Sequence, residues 1–148
     1  MDGYKPSTMN NVLIATLAAS TFLSGCTNQP HEHIVVEIPN DVENYIQYSE
    51  QQSGYIKPNN EKKIFWHTAV HDKSEYSIIY IHGFASSRLV HEPALSDLAN
   101  KLQANYFATR ITGHGQTSRS MMGATVSKWL HDTQEAIEIG KKIGKKDF

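Results

Sequence analysis

The sequence predicts an α/β fold in which strands and helices alternate along the chain. Three observations support this class: a continuous apolar strand pattern at residues 76–81, a helix pattern led by Pro93, and a second apolar strand pattern at residues 106–111. Alternation of this kind with short loops is typical of a mostly parallel sheet with right-handed crossovers. The 148 residues are enough for one domain.

The composition of the chain argues against a protein that binds nucleic acid. Hydrophobic residues make up 39% and charged residues 20% of the chain, which are ordinary values for a globular protein. The net charge of -1 provides no electrostatic basis for binding a polyanion. We therefore expect no nucleic-acid partner.

The N-terminal region carries an apolar run of twelve residues at 12–23, too short to span a bilayer comfortably and typical of a signal-peptide core. Ser24 and Gly25 then precede Cys26, the single cysteine. This segment resembles the processing site of bacterial lipoproteins, which implies cleavage after Gly25 and lipid attached to Cys26. The alternative is a buried hydrophobic helix with an incidental free cysteine.

Three segments follow from this interpretation: a lipoprotein signal peptide at 1–25, a lipidated tether at 26–33, and an α/β domain at 34–148. Because several acyl chains hold a protein firmly to a membrane, the predicted location is the bacterial cell envelope, with membrane lipid as the partner. His31 and His33 lie in the polar tether, where we expect solvated side chains rather than a metal site.

Elements of the first half are predicted in the order strand, helix, strand, strand. A strand is expected at 33–38, and a helix at 40–52 that Asn40 or Asp41 caps. Further strands are expected at 62–68 and 76–81, the latter as a buried central strand. The apolar side of the helix is predicted to comprise Val42, Tyr45, Ile46 and Ser49.

Two helices flank the strand at 106–111 in the second half. Pro93 opens the first of them, and Asn105 is expected to end it in a left-handed turn. The second is expected at about 125–143, with Gly144 as a stop. The buried stripe of the first is predicted to be Leu95, Leu98, Ala99 and Leu102, and that of the second Val126, Trp129, Leu130, Thr133 and Ile137.

Two glycine-containing loops follow neighbouring strands. They lie at the carboxyl ends of these strands, where α/β sheets bind ligands. His82-Gly83-Phe84 follows the strand at 76–81, and Gly113-His114-Gly115 follows the next strand. Together with the tryptophan-containing helix after them, these loops resemble the α/β-hydrolase superfamily over residues 62–148. The resemblance implies an incomplete α/β-hydrolase fold: residues 34–148 would be its N-terminal part, ending before the nucleophile elbow.

The resemblance also implies roles for the loop residues. Attack on an ester carbonyl places negative charge on its oxygen, and backbone N–H groups must be preorganised to stabilise that charge. By resemblance, the Phe84 N–H is one such oxyanion donor, His82 and Gly83 support the oxyanion turn, and His114 organises the neighbouring loop. No cofactor and no metal are expected.

The sequence contains no Gly-x-Ser-x-Gly motif, so it lacks the nucleophile that the superfamily uses. We expect the serine, acid and base to lie beyond residue 148, which would leave the chain an inactive fragment of a membrane-anchored serine hydrolase. A small-molecule acyl substrate would then concern only a full-length form. The main alternative is a non-enzymatic lipoprotein that binds ligands through a partial hydrolase fold. Less favoured alternatives are a serine–histidine pair (Ser86 or Ser87 with His91) and a zinc site (His67 and His71).

Overall fold

The computed structural model describes residues 34–146. The predicted signal peptide (1–25), Cys26 and the tether (26–33) lie outside the described residues. In chain order the elements are α1 (Val42–Gln52), β1 (Lys63–Phe65), β2 (Ser77–Tyr80), α2 (Glu92–Leu102), β3 (Asn105–Ala108) and α3 (Val126–Ile143), with short 3-10 helices at Arg88–Val90 and Ser118–Gly123.

The strands form a three-stranded mixed sheet in the order β1-β3-β2. β3 runs antiparallel to β1, with Phe107 opposite Ile64, and parallel to β2, with Tyr106 opposite Ile78. The general α/β class is therefore confirmed for this part of the chain. The prediction of a mostly parallel sheet is wrong here, because one of the two strand pairs is antiparallel.

Helices cover both faces of the sheet, and β3 supplies the centre of both cores. Phe107 points to the face covered by α1 and α3, where it packs in a cluster with Ile64 and Ile139. Tyr106 and Ala108 point to the opposite face, where they meet Ala99 of α2. This alternation follows from the two-residue period of a strand, and all four residues of β3 are buried.

Capping residues fix the helix boundaries much as the sequence predicts. The carboxylate of Asp41 accepts the Asn44 N–H at 3.1 Å and begins α1. Pro93 lies in the first turn of α2, where its missing N–H has no intrahelical acceptor to lose. The hydroxyl of Thr125 caps α3, and Gly144 follows its last residue.

The predicted strand at 33–38 is wrong: residues 34–38 belong to no strand. Ile38 is nevertheless buried, because it packs into the core beside α1 without pairing to another strand. Asn105 does not end α2 either, since it is the first residue of β3. Its side-chain amide donates to the carbonyl of Ile143 at 2.9 Å. Gln103, with φ of 52°, adopts the left-handed conformation that closes the helix.

The predicted buried sides of the later helices are also partly wrong. Val126, Leu130 and Ile137 are exposed, and α3 instead buries the face that includes Asp132 and Glu135. On α2 only Ala99 is fully buried, while Leu98 and Leu102 are exposed. The strand predicted to be central, β2, lies at an edge of the described sheet, because β3 occupies the middle position.

Candidate functional site

Two loops meet at the carboxyl ends of β2 and β3, and a histidine from each binds the backbone of the other. The Ile111 N–H donates to Nε2 of His82 at 3.2 Å. The Ala85 N–H donates to Nε2 of His114 at 3.1 Å, and the two imidazole centroids are 5.0 Å apart. Parallel pairing of β2 with β3 places both loops at the same sheet edge, which allows this exchange.

Both histidines therefore use their ring nitrogens within the loops. Nδ1 of His82 lies 3.0 Å from the Gly83 carbonyl, and Nδ1 of His114 lies 3.3 Å from the Thr112 carbonyl. Because each Nε2 accepts an N–H, the proton of the neutral ring resides on Nδ1. Burial lowers the pKa of His82, and the nearby His114 lowers it further, which favours this neutral form.

The segment from Gly83 to Ser86 is a tight turn closed by a hydrogen bond of 3.2 Å from the Ser86 N–H to the Gly83 carbonyl. Ala85 occupies the third position with φ of 56°, a left-handed conformation that alanine rarely adopts. A positive φ at this position is characteristic of a type II turn. The backbone strain at Ala85 is thus held in place by the His114 bond to its N–H.

The Phe84 N–H, at the second position of this turn, donates to no acceptor among residues 34–146. Phe84 is 75% exposed as a whole residue, and its ring makes edge contacts with His114 and Trp129. A Cβ added to Gly83 would meet nothing within 4 Å, and Gly83 does not have positive φ. Neither packing nor backbone conformation requires glycine at 83, so the residue leaves open space beside an unused donor.

Helix α3 holds the second loop through both backbone groups of Thr112. Its N–H donates to the Asp132 carboxylate at 2.6 Å, and its carbonyl accepts from the Trp129 indole at 3.0 Å. Gly113 and Gly115 follow with φ of 86° and 67°, and an added Cβ on Gly115 would lie 2.9 Å from Cβ of Asn60. Glycine is therefore required at both positions of this loop.

A buried network of charges supports the same loop from beneath. Arg110 makes a two-point contact with the Glu50 carboxylate, at 2.9 and 3.0 Å, and also donates to the His114 carbonyl at 3.3 Å. Lys62 donates to Glu135 at 2.6 Å and lies 4.0 Å from Glu50. Two cations and two carboxylates thus compensate one another away from water. The network connects α1 and α3 to the end of β3.

A cleft of about 380 Å³ lies between the two loops and the 3-10 helix Ser118–Gly123. Hydroxyl groups of Ser86, Ser87, Thr117 and Ser118 line it, and Lys57 is the one formally charged side chain among its lining residues. Such a lining suits a polar or anionic group.

The serine–histidine pair considered from the sequence is not formed in the structure. Nδ1 of His91 lies 2.8 Å from the Tyr80 hydroxyl, and the nearest hydrogen-bond partner of the Ser86 hydroxyl is the Ser87 carbonyl at 3.5 Å. A zinc site at His67 and His71 was the other alternative considered from the sequence. The ring centroid of His71 lies 5.8 Å from that of Trp66. Over residues 34–146 the structure contains no group of three or more side chains that could hold a metal ion.

Sequence reasoning missed the residues that position the site. Asp132 and Glu135 lie on the buried face of α3 together with Ala136 and Ile139, and Glu50 lies on the buried face of α1. Charged residues at positions where a helix meets a sheet are the signal that could have identified them, since buried charges require partners. Arg110, two residues after the end of β3, is the matching cation.

Comparison with models of protein families, with curated proteins and with solved structures yields no match. In residues 34–146, no helix has the length and apolar character needed to cross a membrane.

Proposed function

We propose that this chain contributes the oxyanion-binding part of an acyl hydrolase of the α/β-hydrolase type. The observation that carries the proposal is the unused Phe84 N–H beside Gly83, at the end of a strand that pairs in parallel with the next one. Ligands bind at such strand ends in α/β sheets. Assignment to the α/β-hydrolase superfamily, rather than to the α/β class in general, rests on the resemblance of the two loops and of the tryptophan-containing helix to that superfamily.

The chemistry requires a donor that is fixed before the substrate arrives. When an ester is attacked, its carbonyl oxygen gains negative charge, and losing one preorganised donor costs about 3 kcal/mol of activation free energy. The Phe84 N–H satisfies this requirement because the Ser86–Gly83 bond and the Ala85–His114 bond fix the turn on its C-terminal side. His82 fixes the strand end that precedes it.

The nucleophile in this proposal comes from polypeptide outside the 148 residues. The sequence has no Gly-x-Ser-x-Gly motif, and Ser86 has no hydrogen bond to a histidine in the described part of the chain. Both nitrogens of His82 and of His114 are engaged by backbone groups, which leaves neither ring free to serve as a general base.

Lipid attached to Cys26 would hold the protein at a membrane of the cell envelope.

A pair of substitutions at one position tests the donor in the 148-residue chain itself. Phe84→Pro removes the N–H and the aromatic ring, whereas Phe84→Ala removes the ring and keeps the N–H. Proline is favoured at the second position of such turns, so the turn is expected to survive. A difference between the two variants therefore reports on the N–H alone.

The probe is a short alkyl phosphonate, which places anionic oxygens where the oxyanion of the reaction would lie. We expect the wild type and Phe84→Ala to bind it with dissociation constants on the order of millimolar, followed by NMR shifts of Ala85 and His114. Phe84→Pro should bind at least about tenfold more weakly. Equal affinity in both variants would remove the basis of the proposal and favour a ligand-binding module that does not use this N–H.

A further inference from the structure

Lys57 lines the cleft between the two loops, and its backbone is fixed at both ends. The Lys57 N–H donates to the Gly115 carbonyl at 2.8 Å, and the Lys57 carbonyl accepts the Asn60 N–H at 3.0 Å. The side chain of Lys57 forms no salt bridge with any residue between 34 and 146. A cation without a neighbouring counter-charge is therefore attached to the second loop beside the cleft.

The second loop adds a row of backbone donors that are not used within the chain. Gly115, Gln116 and Thr117 line the cleft, and the N–H of none of them donates to an acceptor in the described part of the chain. The angle φ is positive at Gly113 and Gly115 but not at His114 or Gln116. In loops of this kind successive N–H groups turn to the same side and form a concavity that binds anions.

Hydroxyl groups from both loops complete the lining of the cleft. Those of Ser87 and Ser118 have no hydrogen-bond partner among residues 34–146. None of the described residues that line the cleft carries a carboxylate. The donors outnumber the two oxygens of a carboxylate, whereas a phosphate group offers three strong acceptor oxygens and two negative charges. Charged partners of this kind form the strongest hydrogen bonds, so the cleft fits a phosphate group best.

The cleft begins one residue from the unused donor of the first loop. Ala85 and Ser86 line the cleft, and Ala85 directly follows Phe84. Consecutive Cα atoms are about 3.8 Å apart. An acyl group at the Phe84 N–H and a phosphate group in the cleft are therefore close enough to belong to one small molecule.

We propose that the cleft binds a phosphate group of the acyl substrate, held by Lys57 and by the N–H groups of Gly115, Gln116 and Thr117. The substrate class is then an ester that carries a phosphate group, either in water or as part of a lipid. In naming a substrate this proposal rests on the proposed function, whereas phosphate binding in the cleft does not depend on the Phe84 N–H.

The first experiment compares two esters that differ by the phosphate group. The 148-residue chain is titrated with acetoxyethyl phosphate and with acetoxyethanol at about pH 7.5, where a phosphate monoester is mostly a dianion. Amide NMR shifts of Gly115, Gln116 and Thr117 report binding. We expect acetoxyethyl phosphate to bind at least about tenfold more tightly than acetoxyethanol.

Three substitutions of lysine test the source of that difference. Lys57→Gln should remove most of the preference for the phosphate compound, whereas Lys57→Arg, which keeps the charge, should retain it. Lys73→Gln is the control, because Lys73 is exposed and does not line the cleft. The fold should tolerate the changes at Lys57, since its hydrogen bonds to Gly115 and Asn60 are made by backbone atoms.

A lipid arm distinguishes the two sources of the phosphate group. Dihexanoyl phosphatidic acid, used below its critical micelle concentration, presents the same group on a molecule with two acyl chains. Tighter binding than that of acetoxyethyl phosphate, lost in Lys57→Gln, assigns the site to a phosphate-bearing lipid. Equal or weaker binding assigns the site to a water-soluble phosphate ester.

Ethyl phosphate, which contains no ester of a carboxylic acid, separates this proposal from the oxyanion donor. Lys57→Gln should weaken its binding at least about tenfold, whereas Phe84→Pro and Phe84→Ala should bind it equally. If the alkyl phosphonate fails to distinguish the two Phe84 variants while ethyl phosphate still requires Lys57, the proposed function is wrong and the phosphate site stands. The site is overturned if Lys57→Gln binds ethyl phosphate as tightly as the wild type, or if the shifted amides lie outside the cleft.

Discussion

Substituting Gly140 by alanine perturbs the contact between α3 and β2, on which the position of the candidate site depends. An added Cβ would lie 2.4 Å from Cδ1 and 2.7 Å from Cγ1 of Ile79. Favourable contact between carbon atoms requires about 3.5 Å or more, so the overlap is about 1 Å. Overpacking of this kind costs about 1–3 kcal/mol, whereas the higher helix propensity of alanine returns about 1 kcal/mol. We expect a net loss of about 1 kcal/mol in unfolding free energy.

A double-mutant cycle separates this clash from other effects. Ile79→Val removes Cδ1, the closer of the two atoms, and should by itself cost about 1 kcal/mol. Combined with Gly140→Ala, it should give a protein about 1 kcal/mol more stable than the sum of the single losses predicts, measured by urea denaturation. Gly123→Ala is the control, because its added Cβ meets nothing within 4 Å. Strictly additive losses would refute the packing argument.

Three further predictions concern the network, the buried histidine and the anchor. Glu50→Gln leaves Arg110 without its buried counter-charge and should cost about 3–5 kcal/mol in urea denaturation, whereas a loss below about 1 kcal/mol would contradict the network. Because burial lowers the pKa of His82, the unfolded chain binds more protons below about pH 6.5, so stability should fall from pH 7 towards pH 5. His82→Asn should flatten that slope, and an unchanged slope would rule His82 out as the cause. Cys26→Ser should abolish incorporation of labelled palmitate in bacteria, so equal labelling would refute lipid attachment.

Local sequence patterns determine much of the observed secondary structure. Asp41, Pro93 and Thr125 mark the beginnings of the three helices because their chemistry acts within one helical turn. Each of the three strands also overlaps a segment predicted to be a strand, although β1 covers only Lys63–Phe65 of the predicted 62–68 and β3 covers Asn105–Ala108 where 106–111 was predicted. Signals of this kind need no knowledge of distant contacts.

Tertiary contacts explain the predictions that are wrong. Residues 34–38 have a strand-like pattern, but no neighbouring strand pairs with them, and Ile38 is buried by packing alone. On α3 the apolar stripe through Leu130 is real, yet the face that meets α1 and the loops is the one with Asp132 and Glu135. Those carboxylates are buried because Thr112 and Lys62 bind them, and neither partner is near in sequence.

The sequence predicts which two loops form the candidate site, whereas the contacts that hold the two loops together could not be predicted. Both loops carry glycines after apolar strand patterns, so the sequence indicates a site at residues 82–84 and 113–115. The exchange of N–H bonds between His82 and His114 depends on the parallel register of β2 and β3, which the sequence does not specify. The left-handed Ala85 was likewise not predictable, because alanine carries no local preference for positive φ.

Mapping of fluorophosphonate labelling by mass spectrometry tests the central claim most directly, namely that these residues supply an oxyanion donor and not the nucleophile. We predict no labelling of the 148-residue chain above a histidine-matched control. In a form that carries Gly-x-Ser-x-Gly after Phe148, the labelled residue should be that serine, and Phe84→Pro should slow labelling by about 10²–10³ relative to Phe84→Ala. Labelling of Ser86 or Ser87, or equal rates in the proline and alanine variants, would contradict the account.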